Sequence, residues 1–301
     1  MLRLAFLWSL VHVVGRLPAG ALDALAAAAG TATWYASRRI QEVTTDHMRH
    51  VLGPGAPRAR VQAAARECAR SVARYYADFA RAGASPETVS GAILEVRGLE
   101  AVREAHAAGH GVIVVGAHLG NPEMVIRAAA SLGLPLAAVT EPLSPPRVHE
   151  FVHRIRGREG VRFIPATTAG LRATIEHLRG GGILAMLVDR DVLGTAPQRL
   201  FFLERAPLPT GAVELARRTG APVFIAWAPR AGAGRFRVLI EPLPLPPPTG
   251  DREGDLESGM AALTSALEAG IRRWPGQWFP LSPIWSQATP TGTRASTGSV
   301  E

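Results

Sequence analysis

Apolar positions in the first ninety residues follow a helical spacing. Residues 1–90 contain two long Ala-rich stretches and no short β-branched run of the kind that forms strands. Within them, residues 57–81 repeat apolar side chains at helical intervals, with arginines on the remaining surface. The pattern therefore predicts a helical N-terminal part that includes one long amphipathic helix.

From residue 94 onward, short apolar runs alternate with helical segments. Apolar runs predict buried strands at 111–116, 136–140, 161–165, 183–188, 223–228 and 236–240. Helical spacing returns at 122–132, 168–179, 211–219 and 256–274. This alternation predicts an α/β fold with a mostly parallel central sheet flanked by helices. We expect one domain over 1–286, with its helical part at 1–90 and its α/β core at 91–286, followed by a disordered tail at 287–301.

The N-terminal segment has the character of a membrane-associating helix. Residues 4–14 are apolar and lie between Arg3 and Arg16, but the run is shorter than the roughly 20 apolar residues that span a bilayer. Arg16 and Asp23 stand where a signal peptide has a small, neutral cleavage region. We therefore expect an interfacial helical region whose arginines contact headgroups, with a buried N-terminal helix as the alternative.

The net charge and the composition limit the classes of molecule that this chain is expected to bind. The net charge is +8, which indicates nucleic acid, anionic phospholipid or a phosphorylated substrate. The sequence lacks helix-turn-helix and zinc-finger spacing, and it has no basic stripe interleaved with aromatic residues. We therefore expect no nucleic-acid partner.

Cys68 is the single cysteine and stands in an apolar helical run, which predicts a buried thiol. The sequence also lacks a Gly-x-Ser-x-Gly elbow, a P-loop and a dinucleotide fingerprint, which disfavours serine hydrolases, nucleotidases and dehydrogenases.

A histidine follows the first strongly apolar strand. The segment reads Val114-Val-Gly-Ala-His118-Leu-Gly-Asn-Pro-Glu123, and ligands of open α/β sheets bind at the carboxyl ends of such strands. Pro122 suits the first position of a helix, which places Glu123 in the first helical turn. From there its carboxylate could accept a hydrogen bond from one imidazole nitrogen and leave the other free to take a proton from a hydroxyl.

These residues carry a family resemblance that covers about residues 1–286. His118-x-x-x-x-Glu123 resembles the His-x-x-x-x-Asp/Glu motif of glycerolipid and lysophospholipid acyltransferases, in the form typical of late lipid A acyltransferases and actinobacterial phosphatidylinositol mannoside acyltransferases. Further blocks similar to the family's, in order and spacing, are Leu187-Val-Asp-Arg-Asp191, Phe201-Phe-Leu-Glu204, Pro207-Leu-Pro-Thr-Gly-Ala212 and Gln277-Trp278 with Pro283-Ile284-Trp285. Two positions depart from the family pattern, because Pro122 replaces an aromatic residue and Leu203 replaces a glycine.

The resemblance implies an enzyme that moves a fatty acyl group from acyl-CoA or acyl carrier protein to a hydroxyl of a membrane lipid or glycolipid. It implies a peripheral or monotopic protein at the cytoplasmic face of the membrane, which we expect to be a monomer without metal or cofactor. His118 would be the general base, Glu204 its acidic partner as in the mannoside enzymes, and Glu123 a supporting acid. The candidates for substrate binding are Arg190, Asp189, Asp191, Arg156, Arg158 and Asn121. For Arg190 the alternative is a salt bridge that only stabilises the end of the strand.

A second motif supports a different hypothesis. His149-Glu150-Phe-Val-His153 matches His-Glu-x-x-His, which on a helix places two imidazoles on one face for zinc, with the glutamate as base of a metalloprotease. Arginines flank it, and Glu159 stands where the extended motif has its third histidine. A solvated surface helix is the competing interpretation of this segment. A non-catalytic lipid-binding protein is a third hypothesis, and it predicts that the loss of His118 would be tolerated.

Overall fold

A helical layer precedes the first strand. The computed structural model describes residues 2–85, 91–130, 133, 135–141, 143, 145–156, 160–280 and 282–285, so Arg158 and the tail predicted at 287–301 lie outside the described residues. The first helices are α1 (Leu2–His12), α2 (Ala19–Ala36), α3 (Arg38–Leu52) and α4 (Arg58–Ala84). The helical pattern of the N-terminal part is thus confirmed over 2–85. Within the described ranges, none of the helices combines the length and apolarity that crossing a membrane requires.

The rest of the chain alternates strands and helices. In chain order these elements are β1 (Ile93–Arg97), α5 (Leu99–Ala107), β2 (Val112–Gly116), α6 (Glu123–Ala130), β3 (Leu136–Thr140), α7 (Pro146–Arg156), β4 (Arg162–Pro165), α8 (Thr168–Arg179), β5 (Ile183–Leu187), β6 (Gln198–Phe201), β7 (Glu204–Pro207), α9 (Gly211–Thr219), β8 (Val223–Trp227), β9 (Arg230–Gly232), β10 (Arg235–Pro242) and α10 (Arg252–Arg273). The main sheet has the order β1-β10-β8-β2-β5-β3-β4, with β9 beside β10, while β6 and β7 form a hairpin. In the main sheet, as far as the structure describes it, β10 is the only strand that pairs antiparallel, with β8 and β9. This confirms the mostly parallel sheet flanked by helices.

Strand β2 lies at the centre of the sheet and is covered on both faces. All five of its residues are buried. Ile113 and Val115 belong to the core that α8, α9 and α10 share, whereas Val112 and Val114 belong to the core under α5 and α6. A strand with two buried faces has no polar alternation, which is why its sequence is a continuous β-branched run.

The carboxyl ends of β3 and β5 are not paired with each other. Their pairing runs from Leu136 with Ile183 to Ala138 with Ala185 and stops there. Strand β5 continues along β2, and β3 continues along β4 as far as Thr140. A gap therefore opens between residues 139–140 and residues 186–187, next to the end of β2; we call this the sheet gap.

Candidate active site

The parallel register of β2 and β5 brings His118 and Asp189 together. Gly116 pairs with Leu187, and each of the two residues stands two positions beyond that pair. The Nδ1 atom of His118 lies 2.8 Å from Oδ1 of Asp189. The backbone N–H of His118 donates to Oδ2 of the same carboxylate at 2.9 Å. Asp189, which we expected to bind substrate, is therefore the carboxylate that contacts the motif histidine.

The Asp189 carboxylate is fully buried, with 0% of the residue exposed. The indole N–H of Trp278 also donates to its Oδ2, at 2.9 Å. Burial opposes ionisation, but the positive charge and hydrogen bonds of His118, with the bond from Trp278, lower the pKa of Asp189 below its usual value. An ionised carboxylate only accepts hydrogen bonds, so Nδ1 of His118 carries a proton and Nε2 is the nitrogen with the lone pair when the ring is neutral.

Two distant segments bind the loop that carries His118. The backbone N–H of Gly120 donates to the carbonyl of Gln277 at 2.9 Å, and that of Asn121 donates to Ala228 at 3.0 Å. Gly120 has a φ of 62°, and a Cβ at this position would lie 2.0 Å from the Ala228 oxygen. The glycine of the motif is therefore required both by its left-handed backbone and by the close approach of strand β8.

Asn121 belongs to this loop, and its side chain is buried. It is 2% exposed, and its Nδ2 donates to Asp78 at 3.2 Å. Its Oδ1 accepts the backbone N–H of Glu123 at 3.1 Å, at the start of α6. Asn121, which we expected to bind substrate, instead stabilises the start of the helix that follows the histidine.

Glu123 contacts α4 and α7 rather than the imidazole. Its Oε1 lies 2.6 Å from the Arg156 guanidinium and accepts from the Tyr75 hydroxyl at 3.1 Å. Arg156 also donates to the Tyr75 oxygen at 2.9 Å. Burial and the neighbouring carboxylate raise the pKa of Tyr75, so the phenol stays protonated. The expectation that Glu123 folds back toward His118 is wrong, because Arg156 of α7 forms an ion pair with its carboxylate. Tyr75, Glu123 and Arg156 nevertheless line one cavity together with His118.

Glu204 does not pair with His118 either. Its Oε2 lies 2.8 Å from Nε2 of His50, whose ring stacks on Trp285 with centroids 3.8 Å apart. The hairpin turn before it has Phe202 and Leu203 at φ values of 50° and 69°, and the family pattern has a glycine in place of Leu203. Glu204 begins β7 with its side chain 60% exposed, so the pairing implied by the resemblance is replaced by the one with Asp189.

Arg190 and Asp191 border the sheet gap. The Arg190 guanidinium lies 2.5 Å from Glu141, so this ion pair joins the segments that follow β5 and β3. Asp191 accepts backbone N–H groups of Leu193, Gly194 and Ala196 at 2.8–3.0 Å, which fixes the turn after β5. Both residues line the cavity, Arg190 as a cation and Asp191 mainly as the residue that shapes its rim.

The cavity has a volume of about 1030 Å³, a size typical of ligand sites. It passes the sheet gap, since residues 138–140 of β3 and 185–187 of β5 both line it. Beside the Glu123–Arg156 ion pair of α6 and α7, six apolar side chains line the cavity. We call this part the apolar lobe, and it is formed by Phe79, Val125, Ile126, Val148, Val152 and Phe163. Toward α8 and α9 it carries hydroxyls and charges, from Thr168, Thr174, Thr210, Glu214 and Arg218. His118 thus faces a space that offers both an apolar and a polar environment.

The zinc hypothesis finds no support in the geometry of α7. The rings of His149 and His153 lie 4.0 Å apart, and His149 Nδ1 accepts the backbone N–H of Leu143 at 3.3 Å. Burial, together with His149 and Arg156, lowers the pKa of His153 to about 4. In the part of the chain that the structure describes, no group of three or more His, Cys, Asp or Glu side chains is arranged to hold a metal ion.

Comparison with known proteins identifies the family of this chain. The sequence profile of the family described as bacterial lipid A biosynthesis acyltransferase matches residues 2–287. The phosphatidylinositol mannoside acyltransferase of Mycolicibacterium smegmatis is 27% identical over 221 residues, which cover 71% of this chain and 70% of that protein. Phosphatidylinositol mannoside acyltransferases of two strains of Mycobacterium tuberculosis are each 26% identical, over 63% of this chain and 59% of their own length. The chain therefore belongs to the bacterial lipid A biosynthesis acyltransferase family and is an acyltransferase.

Proposed function

We propose that this acyltransferase moves a fatty acyl group from acyl-CoA or acyl carrier protein to a hydroxyl of a membrane glycolipid, such as a phosphatidylinositol mannoside or a lipid A-like acceptor. The observation that carries the proposal is His118, which bonds the buried Asp189 carboxylate at 2.8 Å and faces a cavity with a large apolar part. The family and the names of its mannoside relatives support the glycolipid acceptor.

The reaction needs a base but no covalent enzyme intermediate. Nε2 of His118 takes the proton of the acceptor hydroxyl as its oxygen attacks the thioester carbonyl, while Asp189 stabilises the imidazolium. The tetrahedral intermediate then collapses, so that the C–S bond breaks, the ester C–O bond remains and the departing thiolate takes the proton from His118. Arg156, Arg190 and Arg218 line the cavity and can stabilise negative charge on the donor phosphates or on the carbonyl oxygen.

The cavity supports association with the surface of a lipid bilayer. Leu171, Leu187 and Leu193 line it and are 43%, 38% and 61% exposed, so apolar side chains surround its opening. On α1, Leu7 also lines the cavity and Trp8 is 53% exposed. Exposed apolar residues and a net charge of +8 suit peripheral binding to an anionic leaflet, which we propose to be the cytoplasmic one.

A transfer assay tests the proposed function. The purified full-length chain is incubated with radiolabelled palmitoyl-CoA, or with palmitoyl acyl carrier protein, and total membrane lipid of the source organism. We expect mass spectrometry to show one glycolipid class that gains a palmitoyl group, with no loss of transfer in EDTA. The proposal is wrong if neither donor acylates any lipid, and peptide hydrolysis blocked by the chelator would favour the zinc hypothesis instead.

The position of the acyl chain is tested by filling the apolar lobe. Val152 is buried on α7 and lines this lobe, so Val152→Phe removes space in the lobe. We expect kcat/KM for palmitoyl-CoA to fall about tenfold relative to decanoyl-CoA, since shape changes of this size in apolar pockets discriminate by 10-fold or more. Leu171→Phe, on the α8 side of the cavity, serves as the control and leaves the ratio of the two donors unchanged. Equal losses for both chain lengths in Val152→Phe would place the acyl chain elsewhere.

A further inference from the structure

The segment 277–279 runs antiparallel to the loop that carries His118. Trp278 and Leu119 form a bridge, and the backbone N–H of Phe279 donates to the His118 carbonyl at 2.7 Å. Together with the bond from Gly120 to Gln277, these contacts bind the C-terminal segment to both ends of the histidine turn. The indole of Trp278 is thereby brought to the buried side of the His118–Asp189 pair.

The two oxygens of Asp189 have different partners. Oδ2 accepts two hydrogen bonds of 2.9 Å, from the Trp278 indole and from the His118 backbone, and Oδ1 is left for the His118 ring at 2.8 Å. Trp278 and Asp189 are both 0% exposed, so water does not compete for the indole N–H. With two donors on one oxygen, the plane of the carboxylate is determined.

We propose that Trp278 is a positioning residue for acyl transfer, whose indole N–H orients the Asp189 carboxylate so that its other oxygen faces the His118 ring. The inference rests on the proposed role of His118 as base. Without this donor the carboxylate keeps only the backbone N–H on Oδ2 and gains freedom to rotate about its Cβ–Cγ bond. The imidazole would then lose the fixed orientation that proton transfer requires.

The surroundings of Trp278 hold the indole in one orientation. Its ring packs against those of His47, Phe201 and Trp285, with centroids 5.4, 6.1 and 6.3 Å away. Its backbone carbonyl accepts the Cys68 thiol of α4 at 3.1 Å. Because packing fixes the position of this donor, the hydrogen bond restricts the orientation of the carboxylate that accepts it.

Trp285 provides a matched comparison for a purely structural role. It is 2% exposed and belongs to the same aromatic cluster, but its indole donates to the Phe201 carbonyl at 3.2 Å and not to Asp189. Trp278→Phe and Trp285→Phe therefore remove the same volume and one indole N–H each from one cluster. A loss of packing affects both variants, whereas a loss of positioning affects only the first.

The experiment measures kcat, KM for palmitoyl-CoA, the kcat pH profile and Tm for both variants in the full-length chain. We expect similar losses of Tm, but a kcat at least about tenfold lower for Trp278→Phe than for Trp285→Phe, as expected for a hydrogen bond to a charged group, with KM unchanged. The bond from Trp278 is one of the contacts that lower the pKa of Asp189, so its loss raises that pKa and moves the acid limb of the kcat profile to higher pH. His47 of α3, whose charge interacts with Asp189, and Arg190, the next residue in the chain, are the same in both variants.

A third variant covers the case in which Trp278→Phe does not fold. Site-specific 3-benzothienylalanine at position 278 keeps the shape of the indole and replaces its N–H by sulfur. We expect the same fall in kcat and the same shift of the acid limb. Wild-type kcat and pH profile in this variant, or identical values for Trp278→Phe and Trp285→Phe, would overturn the proposal for Trp278. An active His118→Ala variant would instead contradict the base itself, so the two failures are distinguishable.

Discussion

We expect His118→Ala to lower kcat for acyl transfer by on the order of 10²–10⁴-fold, the range that a general base contributes. Among the described residues that line the cavity, His118 is the only histidine, so no second imidazole there replaces it. The apolar lobe and the three cavity arginines are unchanged, which should leave KM for palmitoyl-CoA near its normal value. Steady-state kinetics with palmitoyl-CoA and the acceptor found in the transfer assay provide the measurement.

His149→Ala is the control for this substitution. His149 lies on α7 and bonds a backbone N–H, and it does not line the cavity. Transfer should survive this change. The zinc hypothesis predicts the reverse order, with His149 essential and His118 dispensable, and a lipid-binding protein without catalysis predicts that neither change matters. A His118→Ala variant with normal kcat would contradict the proposed mechanism.

The second large effect is expected from Asp189→Asn, with a loss in kcat of up to about 10⁴-fold, as when an amide replaces the acid of a serine protease triad. Oδ2 of Asp189 accepts two N–H groups, so the amide of asparagine would place its oxygen there and direct its NH₂ group at Nδ1 of His118. Nδ1 would then be an acceptor and the ring proton would move to Nε2. An imidazole in that tautomer has no free nitrogen for the acceptor hydroxyl.

The Asp189→Asn protein should still fold, because the amide oxygen keeps the bonds from Trp278 and the backbone; circular dichroism and Tm check this. Glu204→Gln is the matched control, since it makes the same change of acid to amide at a side chain that bonds His50. We expect it to retain most of the activity. Should Glu204→Gln be the more damaging of the two, the partner implied by the family resemblance would be correct and Asp189 would be structural.

Much of the fold can be predicted from the sequence, because several helices and strands are buried on one face or on both faces. Such burial gives a regular pattern of apolar residues. The bounds of β3, α8 and α9 agree with the expected ranges to the residue, and β2 differs by one position. The hairpin of β6 and β7 was not predicted. Its strands have four residues each, and Leu200 is 62% exposed next to the fully buried Phe201, so the alternation is too short to be recognised.

The site was less predictable, because its geometry depends on which strands are neighbours. His118 is identifiable from a strand followed by a glycine turn. Its partner lies 71 residues away, just after β5, and no local pattern reveals that β5 lies beside β2. Once the pairing of Gly116 with Leu187 is known, Asp189 is the expected partner. The prediction for Glu123 fails for the opposite reason. It is close to His118 in the chain, but Arg156 on α7 binds its carboxylate.

The place of Trp278 in the chain also bears on biosynthesis. The strands that carry His118 and Asp189 leave the ribosome long before residue 278, so a nascent chain has the base and its carboxylate without the indole donor. If Trp278 orients Asp189, a polypeptide that lacks residue 278 has no indole donor for this carboxylate. Catalysis would then begin only after translation has passed this tryptophan.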